Sequence, residues 1–163
     1  MFPNPRKNLI RILQNAHAGE IAAAYAYRGH WKSLKPSPEK THIEKIENEE
    51  WRHRENVGRW IEQLGAKPRR LREAVFWTIG RTLGWSCFIS GWFMPMYFAG
   101  RLESQNVREY IDAAEFAEQL GMPDCVEEMM EMSRVEGEHE AFFSRTVAGH
   151  HLLPVMKRVF GWS

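Results

Sequence analysis

Two short words, Glu50-Trp51-Arg52-His53 and Glu136-Gly137-Glu138-His139, spell Glu-x-x-His once in each half of this chain. Three residues is just under one helical turn, so each pair projects a carboxylate and an imidazole from one helix face. Two such pairs, joined by one further Glu from each of two other helices, make the di-metal centre of a four-helix bundle. The further glutamates are Glu20, 30 residues ahead of Glu50, and Glu103, 33 ahead of Glu136. Each gap suits a helix running out, a short turn and a second helix returning to the same level. Tyr27 and Tyr110 each follow their glutamate by seven residues, two turns along the same face. Glu20 to Glu103 and Tyr27 to Tyr110 are both 83 residues apart, while Glu50 to Glu136 and His53 to His139 are both 86 apart. That near-repeat is far more specific than one Glu-x-x-His in a Glu-rich chain. The set Glu20, Glu50, His53, Glu103, Glu136 and His139 is therefore the expected metal site.

Helix signals run the whole length, and no stretch alternates apolar and polar well enough for a sheet. Asn4-Pro5 opens a first helix that carries Leu9, Leu13 and Glu20 to about Leu34. Lys35-Pro36-Ser37-Pro38 is a turn, with Ser37 as N-cap of a second helix through Ile43, Glu50, Val57 and Ile61. Gly65 closes it and Pro68 prevents continuation. A later helix carries Glu103, Val107 and Tyr110 to about Leu120, where Gly121 caps it. The last long helix follows Pro123 and holds Met129, Glu136, His139 and Phe143. A short amphipathic tail spans about Leu152 to Phe160. The expectation is an all-α protein of one domain over residues 1–163.

Global composition adds exclusions. The 22 basic and 21 acidic residues leave a net charge of +1, so nothing points to nucleic acid. Cys87 and Cys125 form no Cys-x-x-Cys word and read as two buried thiols in a reducing compartment. The start, Met1 to Lys7, lacks the apolar run and cleavage site of a secretory leader, so a cytoplasmic location is expected.

The stretch from about 69 to 100 does not fit a plain bundle. Thr82 to Gly100 is uncharged, yet Arg81, Gly84, Gly91 and Pro95 argue against a simple membrane span. A span there would also separate Glu103 from the rest of its site. The better reading is a helical segment lying on, or dipping into, one membrane leaflet, with Trp77, Trp85 and Trp92 on roughly one face. Lys67, Arg69, Arg70 and Arg72 would meet anionic headgroups, and Lys157, Arg158, Phe160 and Trp162 extend the surface. The competing reading packs these aromatics into the core or a homodimer interface.

The remaining histidines, His17, His30, His42, His150 and His151, show no ligand spacing. His17, three residues before Glu20, is a candidate support for that carboxylate, and His150-His151 a helix-end pair. Met129, Met130 and Met132 read as core filler.

At the metal residues the chain resembles the demethoxyubiquinone hydroxylase family. His17-Ala18-Gly19-Glu20-Ile21-Ala22-Ala23 and Tyr27-Arg28-Gly29-His30 are similar to that family's opening, with Ala-Gly-Glu and Tyr-x-Gly. Glu50-Trp51-Arg52-His53, Leu102-Glu103 with Tyr110, and Glu136-Gly137-Glu138-His139 resemble its other metal words. The departures are Glu109, where family members commonly carry His, and Ser104, where another acid is common. The resemblance implies a ferritin-like four-helix bundle with an added apolar, membrane-interacting segment and a short C-terminal helix. It also implies two iron ions (manganese the alternative) and a monooxygenase that hydroxylates an apolar quinone-type ring with O₂ and an electron donor. Glu50 and Glu136 would bridge the metals, and Tyr27 and Tyr110 would hydrogen-bond the ligands or relay electrons, against simple packing. The place of work would be the inner face of the cell membrane. Two other functions share parts of this pattern. A ferritin- or rubrerythrin-like iron-binding oxidase or peroxidase would keep the ligands and need no tryptophan-rich insert. A non-catalytic helical membrane-interaction protein would keep the insert and hold little metal.

Overall fold

A computed structural model describes residues 4–162; the part of the leader reading that rests on residues 1–3 lies outside them. Six helices follow in order, with no strand among the described residues: α1 Pro5–Ser33, α2 Pro38–Gln63, α3 Arg70–Ser86, α4 Phe93–Gln119, α5 Pro123–Val147 and α6 Leu153–Phe160. Local chemistry sets most of these ends. The Asn4 side chain accepts from the Lys7 amide at 3.1 Å, and Ser37 Oγ accepts from the Lys40 amide at 3.2 Å. Pro5, Pro38 and Pro123 stand in first turns, where the missing amide proton costs nothing. Gly65 and Gly121 turn the chain after α2 and α4 in the left-handed conformation, at φ of 66° and 67°.

Two apolar clusters build the bundle. One gathers Leu9, Leu13, Val57, Ile61, Ala113 and Met129; the other gathers Ala23, Ile43, Ile46, Met96, Tyr97 and Phe143. Each long helix contributes to both, and its candidate ligands fall between its two contributions. Glu20 lies between Ala16 and Ala23, Glu50 and His53 between Ile46 and Val57, Glu103 between Ala99 and Tyr110, and Glu136 and His139 between Met132 and Phe143. The polar residues therefore form a belt at the waist, with an apolar core above and below. The order of the clusters along each helix also gives direction: α1 and α5 run one way, α2 and α4 the other.

That topology requires a long connection, because α2 and α4 point the same way and α2 ends where α4 must not begin. Helix α3 supplies it, its 17 residues covering about 26 Å. It runs along α1, where Glu73 reaches His17, Gly80 meets Ala22, and Gly84 meets Tyr25 and Gly29. The buried residues of α3 are Gly80 and Gly84. Its large apolar side chains, Leu71, Val75, Ile79, Leu83 and Trp85, are exposed.

Several expectations for the insert need correction. It is not one helical segment: a turn over residues 87–92 divides it into the end of α3 and the start of α4. Pro95 therefore sits in the first turn of α4, where it starts the helix instead of kinking one. Trp77 and Trp85 share α3, but Trp92 caps α4 and lies on no common helical face with them. Gly84, read as an argument against a membrane span, joins Gly80 in letting α3 approach the α1 backbone. Trp162, assigned to the outer surface, is 5% exposed; it packs edge-on to Tyr97 and donates to Glu140 at 3.0 Å. Met130 is exposed, whereas Met129 and Met132 are core. Both cysteines are buried free thiols, and burial pushes Cys87 up to about 11.

Candidate metal centre

All six expected ligands meet at the waist of the bundle. Four donor atoms from Glu20, Glu50, His53 and Glu136 lie within 4.8 Å of one another, and four from Glu50, Glu103, Glu136 and His139 do the same. Glu50 and Glu136 belong to both groups, so the geometry is two adjoining sites sharing two carboxylates. Every one of the six residues is buried, Glu50, Glu103 and Glu136 completely.

Whether metal ions suit this pocket is a question about hydrogen bonds. Glu20 Oε2, both Glu50 oxygens, Glu136 Oε2 and His139 Nδ1 are buried with no hydrogen-bond partner among the described residues. Unpaired carboxylate oxygens in an apolar interior are costly, and several carboxylates in contact repel one another. Two divalent cations would satisfy those lone pairs and balance the four acids' negative charge. The donor set of carboxylates and imidazoles matches metals such as iron and manganese.

The protonation pattern of the protein alone shows the same tension. Burial first, then the charge of neighbouring glutamates, pushes Glu50 and Glu103 well above the usual carboxylate range, and Glu20 is raised by burial and Glu136. Burial also works against Glu136, but the imidazoles of His139 and His53 outweigh it and hold that carboxyl low. His53 Nδ1 sits 2.8 Å from Glu136 Oε1. Burial lowers His53, yet this partner and the surrounding acids leave it raised overall.

The two tyrosines are placed by a cross-connection that the helical spacing did not show. Tyr27, on the Glu20 helix, donates to Glu103 Oε1; Tyr110, on the Glu103 helix, donates to Glu20 Oε1. Each half of the bundle thus secures the other half's glutamate. Burial and then the nearby carboxylate charge raise both phenols well above their ordinary value, so they remain protonated donors.

Two supporting residues escaped the sequence reading. Glu49 Oε2 lies 3.0 Å from His139 Nε2, orienting the ring so that Nδ1 faces the carboxylates, and Lys45 lies 3.0 Å from Glu49. Asn106 donates to Glu103 Oε2 at 3.1 Å. Their signals were adjacency to Glu50 and i,i+3 spacing from Glu103, both weak in a helical chain. His17 does not support Glu20. Its Nδ1 meets Glu73 at 2.9 Å, Arg54 joins Glu73 at 2.7 Å, and the trio ties α3 to α1 and α2. His150 stacks on Phe93 and His151, beyond the end of α5. Glu109 lines a cavity of about 30 Å³ beside Glu20 and Tyr110; burial, then the charge of Glu20, pushes it up to about 7.

A larger cleft of about 290 Å³ opens between α1, the end of α3 and the start of α4. Ala23, Ala26, Leu83, Pro95, Phe98 and Ala99 give it apolar walls, and Tyr27 and His30 also line it. Through Tyr27 it is one hydrogen bond from Glu103.

Helical topology and waist geometry define the class: a ferritin-like bundle with a buried centre of four carboxylates and two imidazoles. A ferritin-like, diiron-carboxylate protein from Bacillus anthracis str. Ames has the same fold, with a TM-score of 0.72 at 19% identity over 90% of this chain and 99% of that one. The family described as ubiquinone biosynthesis protein COQ7 matches residues 7–112, and the chain belongs to that family. Glu136 and His139 lie beyond the matched stretch, so their place in the centre rests on the bundle's geometry. A 3-demethoxyubiquinol 3-hydroxylase from Francisella philomiragia subsp. philomiragia is 32% identical over 84 residues, 50% of this chain. The alignment spans 40% of that relative's length.

Proposed function

We propose that this protein is a di-iron monooxygenase that hydroxylates the ring of an apolar, demethoxyubiquinol-like substrate at a membrane surface. The observation that carries the reading is the junction of a buried six-donor centre with an apolar cleft through Tyr27. Glu20 and His53 would hold one ion, Glu103 and His139 the other, and Glu50 and Glu136 would be shared between them. When bound, two irons supply reductive activation of O₂. Overall, one oxygen atom enters a ring C–H bond and the other leaves as water, with two electrons and two protons drawn from an external donor.

The protein's own residues supply the setting. Glu49, Asn106, Tyr27 and Tyr110 orient ligands by hydrogen bonds before substrate arrives, which lowers the reorganisation needed. Apolar clusters above and below the waist exclude water from the centre. The cleft walls favour a flat apolar ring and bring it against the Tyr27 side of Glu103.

Membrane contact is supported by the outward face of α3 and its following turn, where Trp85 is 66% and Ile89 72% exposed. Val155 and Val159 of α6 are exposed as well. No helix among the described residues is long and apolar enough to cross a membrane. A monotopic contact, with the exposed Arg69 and Arg70 near anionic headgroups, accommodates these features.

The direct test is turnover of the iron-loaded protein with a demethoxyquinol, O₂ and a chemical reductant. Glu50→Ala and Glu136→Ala should abolish hydroxylated product. Full turnover in either variant would sink the site assignment. Peroxide-driven oxidation of the iron with no hydroxylated product would favour the ferritin-like oxidase or peroxidase instead.

A further inference from the structure

We propose that His30 is the specificity-determining residue of the apolar cleft, hydrogen-bonding through Nε2 to a ring oxygen of a quinol-type substrate. The inference rests on the cleft being the substrate site and adds what recognises the ring within it.

His30 is 2% exposed, lines the cleft, and its Nε2 is buried with no hydrogen-bond partner among the described residues. An orphaned imidazole nitrogen in an apolar wall is a cost that folding alone does not explain. Two other buried side chains that line the cleft have partners, whereas the Tyr97 hydroxyl of α4 also lacks one among the described residues. Tyr27 gives its hydroxyl to Glu103, and the Cys87 thiol lies 3.2 Å from the Leu83 carbonyl. The unmatched nitrogen of His30 is itself closed to solvent, so a turn of the ring as the ligand enters would bring it to the atom that completes it.

The chemistry of that atom follows from the state of the ring. Burial pushes His30 down to about 4, so the imidazole is neutral near pH 7. A neutral imidazole can accept from a hydroxyl or donate to a carbonyl, depending on tautomer. It therefore suits both oxidation states of a quinone and offers nothing to a hydrocarbon ring. A carboxylate would gain no charge partner here.

Size and position limit the occupant further. A cleft of about 290 Å³ lies at the lower end of small-molecule sites, enough for a substituted ring but not for a long prenyl tail. Leu83, Phe98 and Leu102 line the cleft and are themselves partly exposed, so its mouth is continuous with the apolar outer face of α3. The tail would leave along that face. His30 and Tyr27 lie three residues apart on α1, close to one helical turn, so a ring oxygen on His30 places the ring beside Tyr27 and Glu103.

The experiment is isothermal titration of the metal-loaded protein, under argon, with a short-tailed methoxy-hydroquinone. A ring with the same tail and no oxygen substituents is the comparison ligand. His30→Leu and His30→Met should bind the hydroquinone roughly 3- to 10-fold more weakly than the parent while binding the oxygen-free ring equally or better. His30→Gln should restore most of the loss. The hydroquinone alone should shift the ¹⁵N resonance of His30 Nε2. Parent-like affinity for the hydroquinone in a folded His30→Leu or His30→Met protein would overturn the proposal. Binding of neither ring to the parent protein would overturn the substrate reading of the cleft along with it.

Discussion

Replacing Gly80 by alanine tests the contact on which the cleft depends. A Cβ at Gly80 would stand 2.6 Å from Ala22 Cα and 2.9 Å from the Ala22 carbonyl carbon. Carbon atoms rest at about 3.5–4.0 Å, so α3 must retreat by about 1 Å. Because the obstacle is backbone, no change of rotamer relieves it. Overpacking of this kind costs about 1–3 kcal/mol, against a helix-propensity gain near 1 kcal/mol for Gly→Ala. Gly19→Ala isolates that gain, since a Cβ there meets nothing within 4 Å on the same helix as Ala22. Gly80→Ala should therefore be less stable than Gly19→Ala by about 1–3 kcal/mol. For a chain of this length that separates the two melting midpoints by roughly 2–12 °C in scanning calorimetry. Leu83 and Ser86 of α3 line the cleft, so Gly80→Ala should also weaken hydroquinone binding without lowering metal content. Equal midpoints in the two variants would refute the packing of α3 on α1.

Three further outcomes follow from the centre and its surroundings. Iron(II) at a thousand times its dissociation constant should stabilise the protein by about 4 kcal/mol and release protons, because Glu20, Glu50 and Glu103 are raised without metal. A melting midpoint unchanged by loading or chelation would contradict the fit of the site. Glu49→Gln removes the charge that orients His139 and should weaken metal binding roughly tenfold, measured by competition with a chromophoric chelator. His30, held at about 4 against 6.5 when unfolded, favours the neutral form in the native state. Its share of stability is complete above pH 6.5 and is lost as pH falls toward 4, by about 3 kcal/mol; urea titrations should show a shallower acid loss in His30→Leu.

Most of the helix ends and all six donors of the waist were legible in the chain because their signals are local. Proline in the first turn, Ser37 and Asn4 as caps, and glycine after the last turn act within a few residues. The Glu-x-x-His words carry their own geometry, since one helical turn aligns their side chains without help from the rest of the fold. The 83- and 86-residue offsets then placed two helix pairs at one level.

The tertiary structure decided everything that depends on which surfaces meet. Tyr27 and Tyr110 stand on the same faces as Glu20 and Glu103, yet each reaches the glutamate of the opposite half. Spacing along one helix cannot distinguish those partners. His17 turned to Glu73, and Trp162 went inside, because helices distant in sequence arrived beside them. The clearest case is the insert. Its apolar composition left both lipid contact and core packing open, and α3 buries Gly80 and Gly84 while leaving its leucines and tryptophans outside. Sequence alone determined that this chain could gather four carboxylates and two imidazoles at one level of a bundle. The approach of two backbones at glycine, a matter of ångströms between residues some 60 apart, decided that an apolar cleft would open beside them.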